Sequence, residues 1–132
     1  MAEHRFPVSI YYEDTDFSGL VYHANYLKYC ERAREHLLGR DRLVRMWAES
    51  GMGFVVYRAE LQFREPARFG DDVEVVTRAE LKSDYRVEFE QNVWKPGGKA
   101  PLVEAKITLV CVNRENRLVK LPDEVIALGH AG

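Results

Sequence analysis

The sequence predicts an α+β fold, and two observations carry that prediction. Apolar residues recur at helical spacing along one segment, Tyr26, Tyr29, Cys30, Ala33 and Leu37, the stripe of a long helix that buries one side. From Phe54 onward the period changes to two, and four strand-like runs follow one another with turns between them and no long helix interposed. Consecutive strands without crossover helices pair as antiparallel meanders, and a sheet with one apolar face must bury that face on a helix. With 46% hydrophobic and 30% charged residues, 132 residues suit one core, so 1–132 is read as a single domain.

Taken in order, Phe6 to Tyr12 reads as the first strand. The central helix runs from about Tyr22 to Leu38 and stops at Gly39, a natural residue for the position just past a helix end. Asp41 is placed to cap a shorter helix through Ser50, closed by Gly51-Met52-Gly53. Phe54 to Arg64 is a strand in which Ala59, Leu61 and Phe63 alternate with Glu60, Gln62 and Arg64, and Pro66 breaks it. Asp72 to Leu81 and Tyr85 to Trp94 are the next two strands. Lys95-Pro96-Gly97-Gly98-Lys99 is a turn, and Pro101 to Asn113 is the last long strand. Pro122 opens a C-terminal helix from Asp123 to Leu128.

The net charge of −2 provides no overall attraction to nucleic acid or to an anionic membrane. No run approaches the length needed to span a bilayer, and Met1 to Pro7 holds no apolar signal-peptide core, so the expected compartment is the cytoplasm. No His, Cys, Asp or Glu set has metal-ligand spacing, and there is no glycine-rich phosphate loop, so no metal or bound cofactor is expected. Cys30 lies on the helix stripe and Cys111 in a strand, which reads as two buried, reduced thiols.

The chemistry concentrates between the first strand and the helix. Asp14, Thr15 and Asp16 end an apolar run, Gly19 marks a turn, and His23 precedes the helix stripe. A helix start presents unpaired N–H groups and partial positive charge, which stabilise a carbonyl oxygen as it gains negative charge. A carboxylate on the preceding loop can attack that carbonyl or activate water. On local features alone the same acids also serve as helix caps, and His23 also fits as a general base, a cap or a pocket wall. Glu13 and Asp14 read as solvated or capping acids. Arg64, Arg68, Lys82 and Arg86 are strand-end cations able to bind phosphate.

The stretch Tyr11-Tyr12-Glu13-Asp14-Thr15-Asp16, Gly19, Val21-Tyr22-His23, Tyr26, Tyr29 and Glu31-Arg32-Ala33-Arg34 resembles the signature of the 4-hydroxybenzoyl-CoA thioesterase-like hotdog family. The resemblance is to its YbgC branch, the Tol-Pal-associated acyl-CoA thioesterases. It continues more weakly through Phe54-Val55-Val56, Glu65-Pro66-Ala67-Arg68, Asp71-Asp72 and Val110-Cys111-Val112.

This resemblance implies a hotdog fold, a curled antiparallel sheet wrapped around one long helix. It also implies an acyl-CoA substrate cleaved to a carboxylic acid and free coenzyme A, with coenzyme A as part of the substrate and not a cofactor. Asp16 falls on the family's catalytic carboxylate, as nucleophile or general base, and the N–H of His23 falls on its carbonyl-polarising group. Phe17, Gly19, Tyr22 and Tyr26 are then the acyl-pocket candidates. Lys82 and Arg86 become the coenzyme A cations. A homodimer or homotetramer with sites at the subunit interface is also implied. Phe17-Ser18 stands where the branch has small residues, which bears on the acyl group accepted. The rival reading is a non-catalytic acyl-CoA-binding or Tol-Pal-associated partner. A hydroxyacyl dehydratase is disfavoured because the chain lacks a His-Gly-Phe-like motif.

Overall fold

The computed structural model describes residues 3–130. Its elements are β1 (His4–Ser9), α1 (Asn25–Leu38), α2 (Arg40–Ser50), β2 (Gly53–Phe63), β3 (Asp72–Ser83), β4 (Arg86–Trp94), β5 (Val103–Val112), β6 (Leu118–Val119) and α3 (Asp123–His130). The strands form one antiparallel sheet in the order β1-β3-β4-β5-β2, with β6 paired to the end of β5. One face of this sheet packs on α1. The two-residue alternation anticipated for β3 and β4 is what buries Val73, Val75, Val87 and Phe89 toward the helix and leaves Glu74, Glu88 and Glu90 outside. Each such large side chain contributes roughly 1.5–3 kcal/mol on leaving water.

Several boundaries differ from the sequence reading, and local hydrogen bonding explains most of the differences. β1 ends at Ser9 instead of running to Tyr12, and Tyr12–Asp14 forms one 3-10 turn. Asp14 Oδ2 accepts the Tyr11 N–H at 2.8 Å and Thr15 Oγ1 donates to the Tyr12 carbonyl at 2.7 Å, so short polar side chains satisfy backbone groups that a strand would pair. α1 begins at Asn25, three residues later than expected. The second helix starts at Arg40 directly after Gly39, which takes φ 94°, so Asp41 sits in the first turn and is not the cap. The two-residue β6 was not foreseen.

A polar knot crosses the core. Arg34, only 6% exposed, donates through Nη1 to Gln91 Oε1 at 2.9 Å, and Gln91 Nε2 donates to the Cys30 carbonyl and to Thr77 Oγ1 at 2.9 and 3.1 Å. A hydrogen bond to a buried charged group is worth about 1.5–3 kcal/mol. Gln91→Leu is therefore expected to lower unfolding stability by about 2–3 kcal/mol. The check is a shift in the denaturant midpoint with the slope unchanged.

A second tie joins β1 to the end of α1. His4 Nε2 and His36 Nδ1 lie 2.9 Å apart, with ring centroids 5.0 Å apart. Burial, then the proximity of His36, holds the His4 pKa below its ordinary value. The folded state thus binds fewer protons here than the unfolded chain. The stability that this tie adds is present above an unfolded value of about 6.5 and is lost as pH falls below it. The melting temperature is expected to drop between pH 7 and 5.5, and His4→Gln to flatten that drop.

β2 is one of the two edges of the sheet, with β1 at the other. It pairs only with β5, carries a bulge between Val56 and Arg58, and exposes Val55, Val56 and Tyr57 to 46%, 48% and 56%. An eleven-residue edge strand with an exposed apolar stretch at Val55 to Tyr57 is a template for another strand.

Candidate active site

The loop between β1 and α1 is built on backbone bonds that turn the chain back on itself. Asp16 N–H donates to the Leu20 carbonyl at 2.7 Å, and Gly19 N–H donates to the Asp16 carbonyl at 3.1 Å. Gly19 takes φ 81°, a conformation that costs a side-chain-bearing residue about 1–2 kcal/mol. Val21 N–H then donates to the Ala67 carbonyl at 2.9 Å, which fixes the loop to the segment following β2. Asp14 ties the loop to the helix, for its carbonyl accepts both the Tyr22 N–H and Asn25 Nδ2, at 2.9 and 2.8 Å.

These bonds present Asp16 at an exposed position. Its Oδ1 accepts the Ser18 hydroxyl at 2.6 Å and the Ser18 N–H at 2.8 Å, and no protein donor among the described residues occupies Oδ2. The Ser18 hydroxyl, then the Ser18 N–H, hold the carboxyl pKa below its usual value, so the group is ionised at neutral pH. Ser18 was not singled out from the sequence. The signal was available, as a serine two residues after an aspartate suits an Asx-type turn.

The first turn of α1 faces the same space. Asn25, Tyr26 and Leu27 N–H groups donate to the carbonyls of Tyr22, His23 and Ala24 at 2.9, 3.3 and 3.2 Å. The N–H groups of His23 and Ala24 have no protein acceptor among the described residues. They are the free donors that a helix start leaves over, and no side chain caps them. The His23 ring lies beside Tyr22 and Phe63, with centroids 4.6 and 6.0 Å away.

A cleft of about 220 Å3 joins these parts, lined by Asp16, Leu20, Val21, His23, Tyr26, Phe63, Arg64, Glu65 and Pro66. The Tyr26 hydroxyl is held at its base by the Ala67 N–H at 3.1 Å. Asp16, His23 and Tyr26 thus come together. Tyr22 stands beside His23 on the surface, and Gly19 shapes the loop without touching the cleft. Phe17 projects fully into solvent at the loop tip. Lys82 and Arg86 lie at the far end of β3 and β4, roughly ten residues or about 33 Å along the strand from Asp72. There Lys82 pairs with Glu80 and Glu88 at 3.3 and 3.8 Å, and the Arg86 guanidinium lies 4.2 Å from the centre of the Tyr57 ring. Within one chain the cation that lines the cleft is Arg64, which pairs with Glu104 at 3.1 Å.

The other nucleophiles are poorly suited. Cys30 and Cys111 are fully buried, and burial pushes the Cys30 thiol up to about 12. No group of three or more His, Cys, Asp or Glu among the described residues is placed to hold a metal. The cleft is lined both by an ionised carboxylate and by His23, whose N–H is free, groups of the kind that acyl transfer uses.

Comparison with known proteins places the chain in a family. The profile of the thioesterase-like superfamily matches residues 11–128. The acyl-CoA thioesterase YbgC of Haemophilus influenzae is 33% identical over 128 residues, covering 95% of this chain and 93% of that protein. The acyl-CoA thioester hydrolase YbgC of Escherichia coli O6:H1 is 35% identical over 111 residues, covering 83% and 81%. The crystal structure of a 1,4-dihydroxy-2-naphthoyl-CoA thioesterase from Synechocystis superposes with a TM-score of 0.88 at 22% identity, covering 98% and 96% of the two chains. The sheet wrapped on α1 is therefore the hotdog fold anticipated from the sequence, and the chain belongs to the thioesterase-like superfamily, among its YbgC-like members.

Proposed function

We propose that this protein is an acyl-CoA thioesterase that hydrolyses a thioester to a carboxylic acid and free coenzyme A. The observation that carries the reading is that the ionised Asp16 and His23, whose N–H has no protein acceptor among the described residues, line one cleft. The relatives' names point to the same substrate class.

In this reading the thioester carbonyl points at the start of α1. As the carbonyl carbon is attacked, its oxygen gains charge and is stabilised by the His23 N–H. Asp16 acts either as nucleophile, forming a mixed anhydride that water then cleaves, or as base on the attacking water. The thiolate of coenzyme A is a good leaving group and requires little acid assistance. No cofactor beyond the coenzyme A of the substrate is invoked.

The working form in this reading is a homodimer paired through β2, or a tetramer of such pairs. A two-fold axis near the middle of β2 sets the Phe63 end of one strand against the Gly53 end of the other. Arg86 stacks on Tyr57 near the middle of β2, so in such a pair Arg86 lies close to the subunit seam, where it offers phosphate-binding charge to a substrate that spans it. The reading treats the whole chain as one domain working in the cytoplasm. No helix among the described residues is long and apolar enough to cross a membrane.

The test is thiol release from a panel of acyl-CoAs, with mass by sedimentation. Release by a dimeric or larger species is the expected result. Tight binding of acyl-CoA without release favours the rival reading, a binding or Tol-Pal-associated partner protein.

A further inference from the structure

Behind the loop that carries Asp16, one donor and one acceptor are left over. The donor is the hydroxyl of Tyr29, a residue only 1% exposed, and it has no hydrogen-bond partner among the described residues. The acceptor is Asp14 Oδ1. Asp14 Oδ2 takes the Tyr11 N–H at 2.8 Å, and no donor among the described residues takes the other oxygen.

The helix brings the two groups toward each other. Asn25, in the first turn of α1, grips the Asp14 carbonyl through Nδ2 at 2.8 Å. Tyr29 stands four residues later on the same helix face. A helical side chain leans back over the turn before it, here toward Asn25 and the 3-10 turn that Asn25 holds. The Tyr26 ring packs edge-on against Tyr29, with centroids 5.8 Å apart, and keeps the ring in place. Burial, then the Asp14 carboxylate, raises the Tyr29 pKa above its ordinary value, so the hydroxyl keeps its proton as a donor. A buried donor without a partner is unfavourable, and the short turn carrying Asp14 is free to move to it because it lies at the surface.

Asp14 also joins the two halves of the cleft. Asp16 follows it by two residues. Its carbonyl takes the Tyr22 N–H at 2.9 Å, directly before His23. Whatever fixes Asp14 therefore fixes the carboxylate and the free N–H relative to each other.

We propose that Tyr29 is a positioning residue for the Asp16 cleft: its hydroxyl serves the open oxygen of Asp14 and holds the turn from which Asp16 and the His23 N–H are both presented. The proposal rests on the Asp16 cleft being the thioester site. Tyr29 does not line that cleft and takes no part in bond cleavage.

The test begins with Tyr29→Phe, which keeps the ring and deletes the donor. Thiol release from acyl-CoA is expected to slow about tenfold in kcat, with KM and the affinity for a thioether analogue of the same chain unchanged within about twofold. General loosening of the fold would not produce that split. Asp14→Asn leaves one acceptor oxygen for the Tyr11 N–H and turns an NH2 toward the hydroxyl, so it should lose about the same factor. The double variant should lose no more than either single one. Two NMR readouts are independent of hydrolysis. The Tyr11 and Tyr22 amides should exchange about tenfold faster in Tyr29→Phe while the β4 amides stay as they were. The Tyr29 hydroxyl proton should resonate downfield in wild type and move upfield in Asp14→Asn, a comparison that decides the matter if Tyr29→Phe does not fold. Unchanged kcat and amide exchange in Tyr29→Phe, additive losses in the double variant, or an unmoved hydroxyl proton overturns the proposal and leaves the hydrolase reading intact. The expected NMR changes without thiol release from any acyl-CoA overturn the hydrolase reading and leave the tie between Tyr29 and Asp14 standing.

Discussion

Asp16→Asn is expected to lower kcat for acyl-CoA hydrolysis by at least about a hundredfold, with little change in KM or in the unfolding midpoint. Asparagine is nearly isosteric and still accepts the Ser18 hydrogen bonds, but it neither attacks a carbonyl nor takes a proton from water. Asp16 is exposed and its Oδ1 bonds only within its own loop, so the substitution removes chemistry without disturbing the core. Steady-state kinetics together with thermal unfolding separate the two effects. Equal rates for the two proteins would leave Asp16 outside the reaction. The pH profile adds a second readout. Because Ser18 holds the Asp16 pKa below the ordinary carboxylate value, kcat/KM should stay level from pH 7 down to about 4. The carboxylate is lost only as pH falls through that lowered value. Ser18→Ala removes the first of the stabilising bonds and should move the acid limb upward.

The second large effect separates the backbone of residue 23 from its side chain. His23→Ala keeps the N–H and is expected to change kcat by less than about tenfold, whereas His23→Pro deletes the N–H and should cost about 100- to 1,000-fold, as removal of an oxyanion donor does. Proline is tolerated near a helix start, and Tyr22 before it is already outside the helix, so the fold has room for the change. Near-UV circular dichroism of both variants checks that the loop is intact. If the alanine variant loses as much as the proline variant, the imidazole is the working group and the N–H is not.

Much of this protein was legible in the sequence because it is encoded locally. The period-two runs of β3 and β4 and the stripe from Tyr26 to Leu37 each record which side of an element leaves water, and the burial of Val75, Phe89, Tyr29 and Cys30 follows those patterns. The acid, glycine and helix start could be read together because fewer than ten residues separate them. Element ends were less legible. Asp14 and Thr15 were available to a strand by pattern, and their side-chain hydrogen bonds to the backbone ended it.

The remaining features depend on residues far apart in the chain. Phe63 and Pro66 become walls of the Asp16 cleft because β2 ends where Val21 bonds Ala67. Arg34 reads in the sequence as a charge on a helix whose other side is core, yet it turns inward because Gln91, 57 residues later, supplies its acceptor. Lys82 and Arg86 read in the sequence as cations for the coenzyme A phosphates, and the length of β3 puts them far from the Asp16 cleft of the same chain. The periodicities, the turn and the ionisable groups are readable in the chain alone, because these depend on neighbours along it. The cleft, the buried guanidinium and the open β2 edge were decided by the sheet order, which brings together side chains that no local pattern connects.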